Sequence, residues 1–487
     1  MLWEEARLAF SRRRVRHKER TKNMTGSMYA AVSGLKAHMS ALNVIGNNVS
    51  NVNTFGYKTT RYTFNEALYT TQRTGSDGTD TLGGRNPAQV GFGASIGTID
   101  LDMSTKNYSP TSNALDTMID GDGFFIVGDK VVGADNKSYI STDDEPTLKG
   151  MNLTRLGNFN IDPNGYLVDG NGSVVWGFVA TQADQAYYTS GDNLGKPAPV
   201  GTDGTLTDAT NAKKLTDMTA ADVEKLNTAR KKAGLPELIN VEYEPRKYAD
   251  DYVIQDSDAP VVAKKDGYGV DASGNMVMFA KSASIASASL SAIRLPLVKT
   301  VERETTTGGA GNNAGDGEVT TTKTVTTAWP TTTLEDAGEI GTVREADQAN
   351  PGTTVNTTYA RMESDSTSID EKTGALRIMT SDGTLFTVGY LAIAKVTNPN
   401  GVTHVDGRYY QAQDGAGKMR VTSIGGAVAG TETAGDTALL TGGLESSGTD
   451  LATEITNMIT VQRGYQANTR IVTVTDSMLE ELVNMKR

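Results

Sequence analysis

The sequence predicts an elongated α+β protein of several domains, with a coiled-coil-like layer of terminal helices and mainly-β domains between them. Two observations carry this prediction. Apolar residues recur at alternating steps of three and four near both ends of the chain, which is the spacing of packed helices. Between the ends, the chain of 487 residues is rich in glycine and in polar turn formers, and only 6% of all residues are aromatic. Such a composition favours β-rich domains, and the length suits roughly three of them.

The composition excludes several classes of function. The net charge of -12 argues against nucleic acid as the main partner. No cysteine is present, which rules out a thiolate nucleophile, a cysteine-bound metal and a cysteine-derived crosslink between subunits. The three histidines, His17, His38 and His404, are far apart and lack neighbours suited to a catalytic triad or a zinc site. We therefore expect no enzyme activity, no catalytic residue, no cofactor and no metal, and no apolar run is long enough for membrane insertion.

Residues 1–23 differ in kind from the rest of the chain. They carry eight Lys and Arg against three Glu, a net charge of +5. No apolar run or small-residue cleavage site follows, so the segment is not a secretory signal. The favoured interpretation is a basic extension that belongs to a mis-assigned start, with Met24 or Met28 as the true one. An exposed basic tail, or an arm directed to a lumen or a membrane, is the alternative.

A first amphipathic helix is predicted from Met28 onward. One face carries a heptad of apolar residues: Met28, Val32, Leu35, Met39 and Leu42. A second face carries Asn43, Asn47 and Asn51 at intervals of four. Asparagine is a poor residue for a helix interior, because its amide competes for nearby backbone groups. Three asparagines on one face therefore indicate a role other than helix stability. The helix is expected to end between Asn53 and Gly56, where glycine supplies the freedom that a helix end needs.

A second long helix is predicted at the other terminus, with Asp450 or Thr449 as its N-cap. Its apolar seam consists of Leu451, Ile455, Met458, Tyr465, Val472, Leu479 and Val483. A second stripe consists of Ile471, Val474, Met478, Leu482 and Met485. Gln462, Thr469 and Asp476 interrupt the seam, and Gly464 is a weak point. These interruptions predict ends that stay loose until the chain joins an assembly; a stable helix pair within one chain is the alternative.

Strands and turns dominate the middle of the chain. A buried strand is predicted at residues 124–127, and turns at Asp162-Pro-Asn-Gly and Asp169-Gly-Asn-Gly separate three further strands. The spacing of Asp120 and Asp122 resembles a calcium loop, but the later positions lack the required oxygen ligands, so turn chemistry is preferred. Residues 219–237 predict a helix. Residues 305–333, rich in Thr and Gly, predict an exposed β-ribbon with a flexible tip or, alternatively, disorder.

These elements divide the chain into nested parts. The two helical ends belong together, two β segments form a second layer, and the polar middle is an insertion of one or two domains. The predicted parts are the basic extension 1–23, the helix and linker 24–74, the first β part 75–178, the outer insertion 179–374, the second β part 375–440 and the C-terminal helix 441–487.

Six stretches of the sequence resemble bacterial flagellar axial proteins, the family of rod, hook and hook-associated proteins. They are "SGLKAH" and "GNNVSNVNTFGYK", both within "MYAAVSGLKAHMSALNVIGNNVSNVNTFGYK", then "IDGDGFFIV", "LTRLGNFNIDPNGYLVDGNG", "LAIAKVTNPNGV" and the C-terminal "LATEITNMITVQRGYQANTRIVTVTDSMLEELVNMKR". The large insertion is similar to that of the hook members. The family motif comprises Gly46, Asn47, Asn48, Asn53, Gly56, Tyr57, Lys58, Gln462, Arg463, Tyr465, Gln466 and Asn468.

The resemblance implies a structural subunit that self-assembles into the flagellar hook, a tubular flexible joint that transmits torque from the motor and rod to the filament. It also implies a homopolymer in contact with rod proteins, the hook cap, hook–filament junction proteins and the flagellar type III export apparatus. The location would be extracellular, at the hook and basal body, after export without a cleaved signal peptide. Neither nucleic acid nor membrane insertion is expected.

Two other functions compete with the hook subunit. A distal rod or junction protein of the same family would be shorter and would lack the insertion. A secreted β-rich adhesin would not explain the two helical ends. For the asparagine row, the hypothesis is that neutral amides pair with a neighbouring copy, where identical charges would repel each other. The alternative is that these asparagines only fray the end of a helix.

Overall fold

The computed structural model describes residues 2–485, apart from 79–82, 131–138, 143, 183–186, 190–211, 233–236, 248–262, 266, 272, 309–316, 329–340, 347–352, 364–365, 381–382, 406 and 429. Within these residues the chain is mostly β, with one long helix near each end. This confirms the predicted fold class of terminal helices and mainly-β middle domains.

The helices and strands follow one another along the chain with these bounds. The helices are α1 (Leu2–Ser50), α2 (Glu145–Lys149), α3 (Ala220–Lys232) and α4 (Leu451–Asn484), with 3-10 turns at Leu215–Asp217, Pro399–Gly401, Asp414–Ala416 and Ile424–Gly426. The strands are β1 (Thr60–Glu66), β2 (Tyr69–Arg73), β3 (Ala88–Gly91), β4 (Ala94–Leu101), β5 (Tyr108–Pro110), β6 (Thr117–Asp120), β7 (Phe124–Gly128), β8 (Tyr139–Ile140), β9 (Asn152–Thr154), β10 (Asn160–Ile161), β11 (Leu167–Val168), β12 (Val174–Gln182), β13 (Tyr187–Thr189), β14 (Ala212–Lys214), β15 (Leu238–Pro245), β16 (Ala263–Lys265), β17 (Tyr268–Val270), β18 (Met278–Ala292), β19 (Leu297–Gly308), β20 (Gly317–Ala328), β21 (Gly341–Ala346), β22 (Thr353–Arg361), β23 (Ser366–Ile369), β24 (Ala375–Met379), β25 (Leu385–Val396), β26 (Val402–His404), β27 (Tyr410–Ala412), β28 (Met419–Ser423), β29 (Glu432–Thr433), β30 (Ala438–Thr441) and β31 (Gly443–Glu445).

The chain forms two compact units, and both terminal helices fall in the same one. Unit 1 comprises residues 1–106 and 446–487, and unit 2 comprises residues 107–445. The boundary predicted at residue 74 leaves β1 and β2 with the N-terminal helix and assigns β3 and β4 to the first β part. In the structure these strands belong with the helices: β1 pairs with β4, β2 pairs with β3, and α1 packs against both β1 and β4.

Unit 2 is built on one large sheet with a continuous apolar core. Its main strand order is β10-β11-β12-β25-β7-β9-β27-β26, and β18 joins at β12. The predicted strand at 124–127 is the buried β7, which pairs with β25, β9 and β12. Trp176 on β12 is fully buried, and its indole Nε1 donates to the carbonyl oxygen of Asp129 at 3.0 Å. Buried apolar side chains of this kind are the main source of the unit's stability.

The predicted turns of unit 2 are confirmed. Asp162 and Asp169 each accept a hydrogen bond from the glycine three residues later, Gly165 and Gly172, which close the loops of β10–β11 and β11–β12. Both glycines have positive φ, which is the conformation that this turn needs at that position. The candidate calcium spacing likewise lies in a turn, between the end of β6 at Asp120 and the start of β7. No metal-binding group of acidic or histidine side chains lies among the described residues.

The polar insertion contains two of the predicted features. Helix α3 begins as predicted, because the Thr219 hydroxyl donates to Asp222 at 3.0 Å and fixes the first turn. Residues 233–236 of the predicted helix lie outside the described residues. The Thr-rich segment forms the antiparallel ribbon β19–β20, paired from Leu297↔Ala328 to Gly308↔Gly317. The ribbon prediction is confirmed for the paired strands. The predicted flexible tip, residues 309–316, lies outside the described residues.

A buried ion pair ties the last strand of unit 2 to its centre. Arg155 and Glu445 are both almost fully buried, with Arg155 Nε 4.0 Å from Glu445 Oε2. Arg155 also donates to the backbone carbonyl of Gly121 at 2.8 Å. Burial lowers the pKa of Arg155, and the negative charge of Glu445 opposes that change. Charges withdrawn from water in this way need each other, because either one alone would be costly to bury.

Candidate assembly interface

Helices α1 and α4 of unit 1 pack against each other along a seam of small residues. Gly34 faces the amide of Asn468, and a Cβ added at Gly34 would lie 2.8 Å from Asn468 Nδ2. Gly464 in turn faces the ring of His38, at 2.7 Å for the same construction. Each helix thus uses a glycine to receive a polar side chain of the other. Gly464, predicted as a weak point, is a point of close approach.

The apolar centre of this contact is small. Ala41, Ile45 and Val461 are buried together, with Met458 and Leu42 at the margin. The predicted heptad of α1, which begins at Met28, lies beside this seam and not on it. The structure differs here because alanine and glycine let two helices approach more closely than leucine or methionine do. The two helices pair within one chain, which is the alternative to loose ends.

All of the predicted assembly residues are half-buried or exposed in a single chain. Half-buried are Met28, Val32, Leu35, Leu42, Asn51, Met458, Val472 and Leu479. Exposed are Met39, Asn43, Asn47, Leu451, Ile455, Tyr465 and Val483. Of the second predicted stripe, Ile471, Val474, Met478 and Met485 are exposed and Leu482 is half-buried. Gln462, Thr469 and Asp476 are exposed as well, so they do not interrupt the seam that the structure shows.

Asn48 is the polar centre of unit 1. Its Nδ2 donates to the carbonyl oxygen of Thr60 at 2.9 Å and to Glu454 Oε1 at 3.0 Å. Its Oδ1 accepts from the Tyr57 hydroxyl at 3.0 Å and from the backbone N–H of Thr60 at 3.1 Å. The hydroxyl of Thr449 donates to the Asn48 carbonyl at 3.0 Å. One amide therefore joins α1, the start of β1 and the start of α4.

Asn47 and Asn51 form hydrogen bonds at the end of α1. Asn51 Nδ2 donates to the carbonyl oxygen of Asn47 at 2.9 Å, and its own Oδ1 accepts from the Thr54 hydroxyl at 3.1 Å. Asn47 Nδ2 donates to the Tyr57 hydroxyl at 3.1 Å. α1 ends at Ser50, three residues before the predicted range begins at Asn53, and Gly56 has a positive φ of 71° in the turn that follows. Within one chain these side chains thus bond to one another, to the last turn of α1 and to the turn that follows it.

Tyr57 and Lys58 hold the turn after α1 in place. Burial is the main cause that raises the pKa of Tyr57; a hydrogen bond with Thr60 opposes it and the charge of Glu454 adds to it. The phenol is therefore a stable donor at neutral pH. Lys58 is buried, and its Nζ donates to the carbonyl oxygen of Ser104 at 2.9 Å. The turn is thus anchored to the segment that follows β4.

The remaining motif residues take ordinary positions. Asn53, Gln462, Arg463 and Gln466 are exposed, Gly46 is half-buried with open space around its Cα, and Asn468 packs on Gly34. α4 begins as predicted, with Asp450 Oδ1 accepting from the backbone N–H of Ala452 at 3.1 Å. The sequence missed Glu454 as a partner of Asn48. The only indication in the sequence was that Glu454 follows the predicted N-cap residue Asp450 by four positions, in the first turn of α4.

Comparisons with known proteins agree with this architecture. The family model described as "Flagella basal body rod protein" matches residues 28–58, which cover the end of α1 and the turn after it. The model described as "Flagellar basal body rod FlgEFG protein C-terminal" matches residues 440–485, which contain α4. The two matches therefore fall on the helix pair and the Asn48 centre.

Similar proteins extend the match to most of the chain. The flagellar hook protein FlgE of Borreliella burgdorferi is 26% identical over 487 residues, covering 95% of this chain and 100% of that protein. The hook protein FlgE of Treponema pallidum is 25% identical, with the same coverage of both chains. The rod protein FlgG of Bacillus subtilis is 42% identical over 149 residues, 31% of this chain and 50% of that protein. A crystal structure of Helicobacter pylori hook protein FlgE2 matches with 12% identity, 69% of this chain, 100% of that chain and a TM-score of 0.26, too low to bear on the fold.

The matches at both ends are to models of flagellar rod proteins, and together with the relatives they support a flagellar hook protein. The two relatives described above that match over their whole length are hook proteins, and a hook subunit is the function that this similarity supports. The family is structural and belongs to the polymeric axial part of the flagellum, at its hook and basal body. In the described part of the chain, no helix is long and apolar enough to cross a membrane.

Proposed function

We propose that this chain assembles with copies of itself into the tube of the flagellar hook through the outward faces of α1 and α4. The observation that carries the proposal is the apolar stripe on α4 that α1 leaves uncovered. Ile471, Val474 and Met478 are each about half exposed, at 45%, 53% and 52%. They lie at steps of three and four, so they share one face of the helix.

An exposed apolar stripe of this kind favours binding to another molecule that removes it from water. Fully burying one large apolar side chain contributes about 1.5–3 kcal/mol, so several such residues on one face favour association strongly. Leu451, Ile455 and Ile459 extend the exposed apolar surface toward the start of α4. The partner that fits is a second copy, because the homologous chains are subunits of one axial structure and α1 and α4 present the same faces in every copy.

Polar side chains on these helices fit a contact that has to slide. Gln462, Thr469 and Asp476 are exposed on α4, and Asn43 is exposed on α1. Amide and hydroxyl groups both donate and accept hydrogen bonds, so they can exchange partners as neighbouring copies shift. A tube with such contacts bends while it transmits torque from the rod to the filament. In this proposal Asn47 and Asn51 first secure the end of α1 and only then meet a neighbour.

The same function implies several partners and a location. The subunit would contact rod proteins, the hook cap and the hook–filament junction proteins, and it would leave the cell through the flagellar type III export apparatus without a cleaved signal. The tube would be extracellular. The large polar insertion, residues 179–374, would face outward. These partners rest on the family and on the hook-length relatives.

The proposal is tested with a triple substitution, Ile471→Ser, Val474→Ser and Met478→Ser. We expect tube formation by the purified chain to be lost and cells to be non-motile, while the thermal unfolding of the monomer changes little because the three residues are exposed. The matched control replaces Val325, Met379 and Leu385, three exposed apolar residues of unit 2, by serine and should still assemble. Equal assembly of both variants would reject α4 as the interface.

A location experiment separates the hook from the other candidates. Gold-conjugated antibody against residues 180–370 is applied to intact flagellated cells and viewed by electron microscopy. We expect gold only on the short curved segment between the cell surface and the filament. Gold spread over the cell surface would indicate an adhesin, and no external gold at the base of the filament would indicate a rod subunit.

A further inference from the structure

Strands β19 to β22 of unit 2 form an antiparallel sheet of their own, in the order β20-β19-β22-β21. Strand β20 is therefore one edge of this sheet, and β21 is the other. β20 is 12 residues long, and its pairing with β19 runs from Leu297↔Ala328 to Gly308↔Gly317 without a bulge. In the part of the chain that the structure describes, no further strand pairs with the outer side of either edge. A long and regular edge is a site at which another strand can be added.

The ladder identifies the residues whose backbone groups point outward at each edge. Just beyond the paired parts of β19 and β22, the backbone N–H of Met362 donates to the carbonyl oxygen of Pro296 at 3.2 Å. Hydrogen-bonded pairs alternate along an antiparallel ladder, so even-numbered residues of β19 bond to β22 and odd-numbered ones bond to β20. The residues of β20 that direct N–H and C=O outward are therefore the odd-numbered ones from 319 to 327. On β21 they are residues 342, 344 and 346.

The two edges are complementary to each other. All neighbours in the sheet are antiparallel, so β20 and β22 run in one direction and β19 and β21 in the other. A second copy placed beside the first in the same orientation thus brings its β21 antiparallel to β20. Residues 323 and 344 are linked across the ladder through residues 302 and 356, so they occupy the same phase of the pleat. Because the number of strands is even, both the hydrogen bonding and the pleat can continue from one copy into the next.

The side chains of β20 leave its edge accessible. Residues 321–325 are all exposed, and Thr and Val, which make up most of the strand, favour strand pairing. Proline and outward lysine are common protections of an edge strand. β20 contains no proline, and its one lysine, Lys323, has its Nζ 3.2 Å from Glu302 Oε1 on the neighbouring strand β19. The lysine charge is therefore directed across the ribbon.

We propose that β20 of one copy pairs through its backbone with β21 of a second copy, so that their sheets join into one. The contact uses a different edge on each side, so it repeats from copy to copy without closing, as an open polymer requires. The choice of a second copy as the partner rests on the proposed function. The contact itself lies in unit 2 and is separate from the helix interface at α4.

The absence of cysteine allows a specific crosslink between the two edges. β20 has five outward residues and β21 has three, so residue 323, the middle one, has a partner in every register that pairs the whole of β21. Two full-length chains, one with Lys323→Cys and one with Arg344→Cys, are mixed, allowed to assemble and treated with a short bismaleimide. We expect a crosslinked dimer, because the two residues lie within about 9 Å in all of these registers. Each chain alone is the control and should stay uncrosslinked, because equivalent residues of adjoining sheets are about 19 Å apart.

A proline substitution tests whether the backbone makes the contact. Lys323→Pro and Lys323→Ala both remove the exposed ion pair with Glu302, but only proline also removes the outward N–H. We expect Lys323→Pro to raise the protein concentration needed for assembly about fivefold, as the loss of one backbone hydrogen bond implies. Lys323→Ala should stay within about twofold, because an exposed ion pair contributes little. Equal values for the two variants would overturn the backbone pairing.

Electron microscopy of the same crosslinked samples separates this inference from the proposed function. Tubes without the mixed crosslink would overturn the contact between the edges and leave the helix interface intact. The mixed crosslink without tubes would support the edge contact and reject the hook tube. A crosslink in the Lys323→Cys chain alone would mean that equal edges meet, which contradicts a head-to-tail contact. Neither tubes nor crosslink would overturn both proposals.

Discussion

The two units of the molecule use their apolar residues in opposite ways. Among the described residues, unit 2 buries an extended set of large side chains in one core, whereas unit 1 buries only five apolar residues, three of them alanines. Conversely, unit 1 carries eighteen of the twenty-six large apolar side chains that are exposed in the described structure. Unit 2 therefore buries enough apolar surface to form a core of its own, whereas unit 1 exposes apolar surface that a neighbouring molecule can cover.

Polar groups follow the same division. In unit 2 the buried polar pair Arg155–Glu445 is enclosed by a core that is already large. In unit 1 the polar centre at Asn48 takes the place of a core, since it connects three elements that share little apolar contact. The comparison predicts that removing the buried counter-charge of Arg155 lowers the stability of unit 2 strongly. In unit 1, removing the hydrogen bonds of Asn48 should have the strongest effect.

The largest effect is expected from the buried ion pair of unit 2. Glu445→Gln leaves the Arg155 charge without its counter-charge and should lower the free energy of unfolding of unit 2 by about 3–5 kcal/mol. Glu432→Gln is the control, because its ion pair with Arg420 is exposed and its loss should cost less than about 1 kcal/mol. Denaturant unfolding followed by the fluorescence of Trp176 measures both. Equal midpoints for the two variants would contradict the buried role.

The second effect concerns the polar centre of unit 1. Asn48→Ala leaves the donors of Tyr57 and Thr60 and the acceptor Glu454 without their partner, which should lower the local stability by about 1–3 kcal/mol. Hydrogen exchange of the amides in residues 44–66 measures the loss. Asn43→Ala, at an exposed position of the same helix, is the control and should stay within about 0.5 kcal/mol. Identical protection in both variants would mean that small-residue packing alone holds unit 1.

The third effect concerns the glycine contact between the helices. Gly464→Ala gains up to about 1 kcal/mol in helix propensity but places a methyl group against the ring of His38, so we expect no net gain in stability. Gly46→Ala, where a Cβ meets nothing within 4 Å, should give the full gain. Thermal unfolding of unit 1 measures both. In the His38→Ala background Gly464→Ala should become stabilising; if it does not, the His38 contact is not what opposes the added methyl group.

The smallest effect is a pH dependence of unit 1. Burial alone would raise the pKa of Asp102, but hydrogen bonds from Lys106 and Ser104 outweigh it and lower the pKa to about 2 from its ordinary value of 3.8. The native state therefore holds this proton less tightly than the unfolded chain, so its stabilising contribution is full above pH 4 and is lost as the pH falls toward 2. Asp102→Asn should flatten the loss of unit 1 stability over this range. An unchanged pH dependence in Asp102→Asn would contradict this role of Asp102.

The sequence predicted most of the fold because its signals were local. The N-cap at Asp450, the turns at Asp162 and Asp169 and the buried strand at Phe124 all arise from residues within a few positions of one another. The ribbon β19–β20 was one of two alternatives, the other being disorder, that the Thr- and Gly-rich composition left open. Such features depend on backbone geometry that a short segment determines by itself.

The candidate interface was predicted less completely. The seam between α1 and α4 includes Gly34, Ala41, Ile45 and Gly464. Most of these residues are small and give only a weak periodic signal. The prediction therefore chose the larger apolar residues that lie one position further along α1. Asn48 was recognised only as a motif residue. Its bonds to Thr60 and Glu454 join parts of the chain 12 and 406 residues away, and no local pattern reports a contact at such separations.

The ends of unit 2 have a consequence for how the chain tolerates change. Strands β5 and β31 are hydrogen-bonded neighbours, with Tyr108 opposite Glu445, and the backbone N–H of Thr111 donates to the carbonyl oxygen of Gly442 at 2.8 Å. More than three hundred residues thus leave and return through one pair of adjacent strands. Insertions or deletions between these strands leave the spacing of the two crossing points unaltered. The length of the chain between β5 and β31 can in this sense change without moving the two strands through which it leaves and returns.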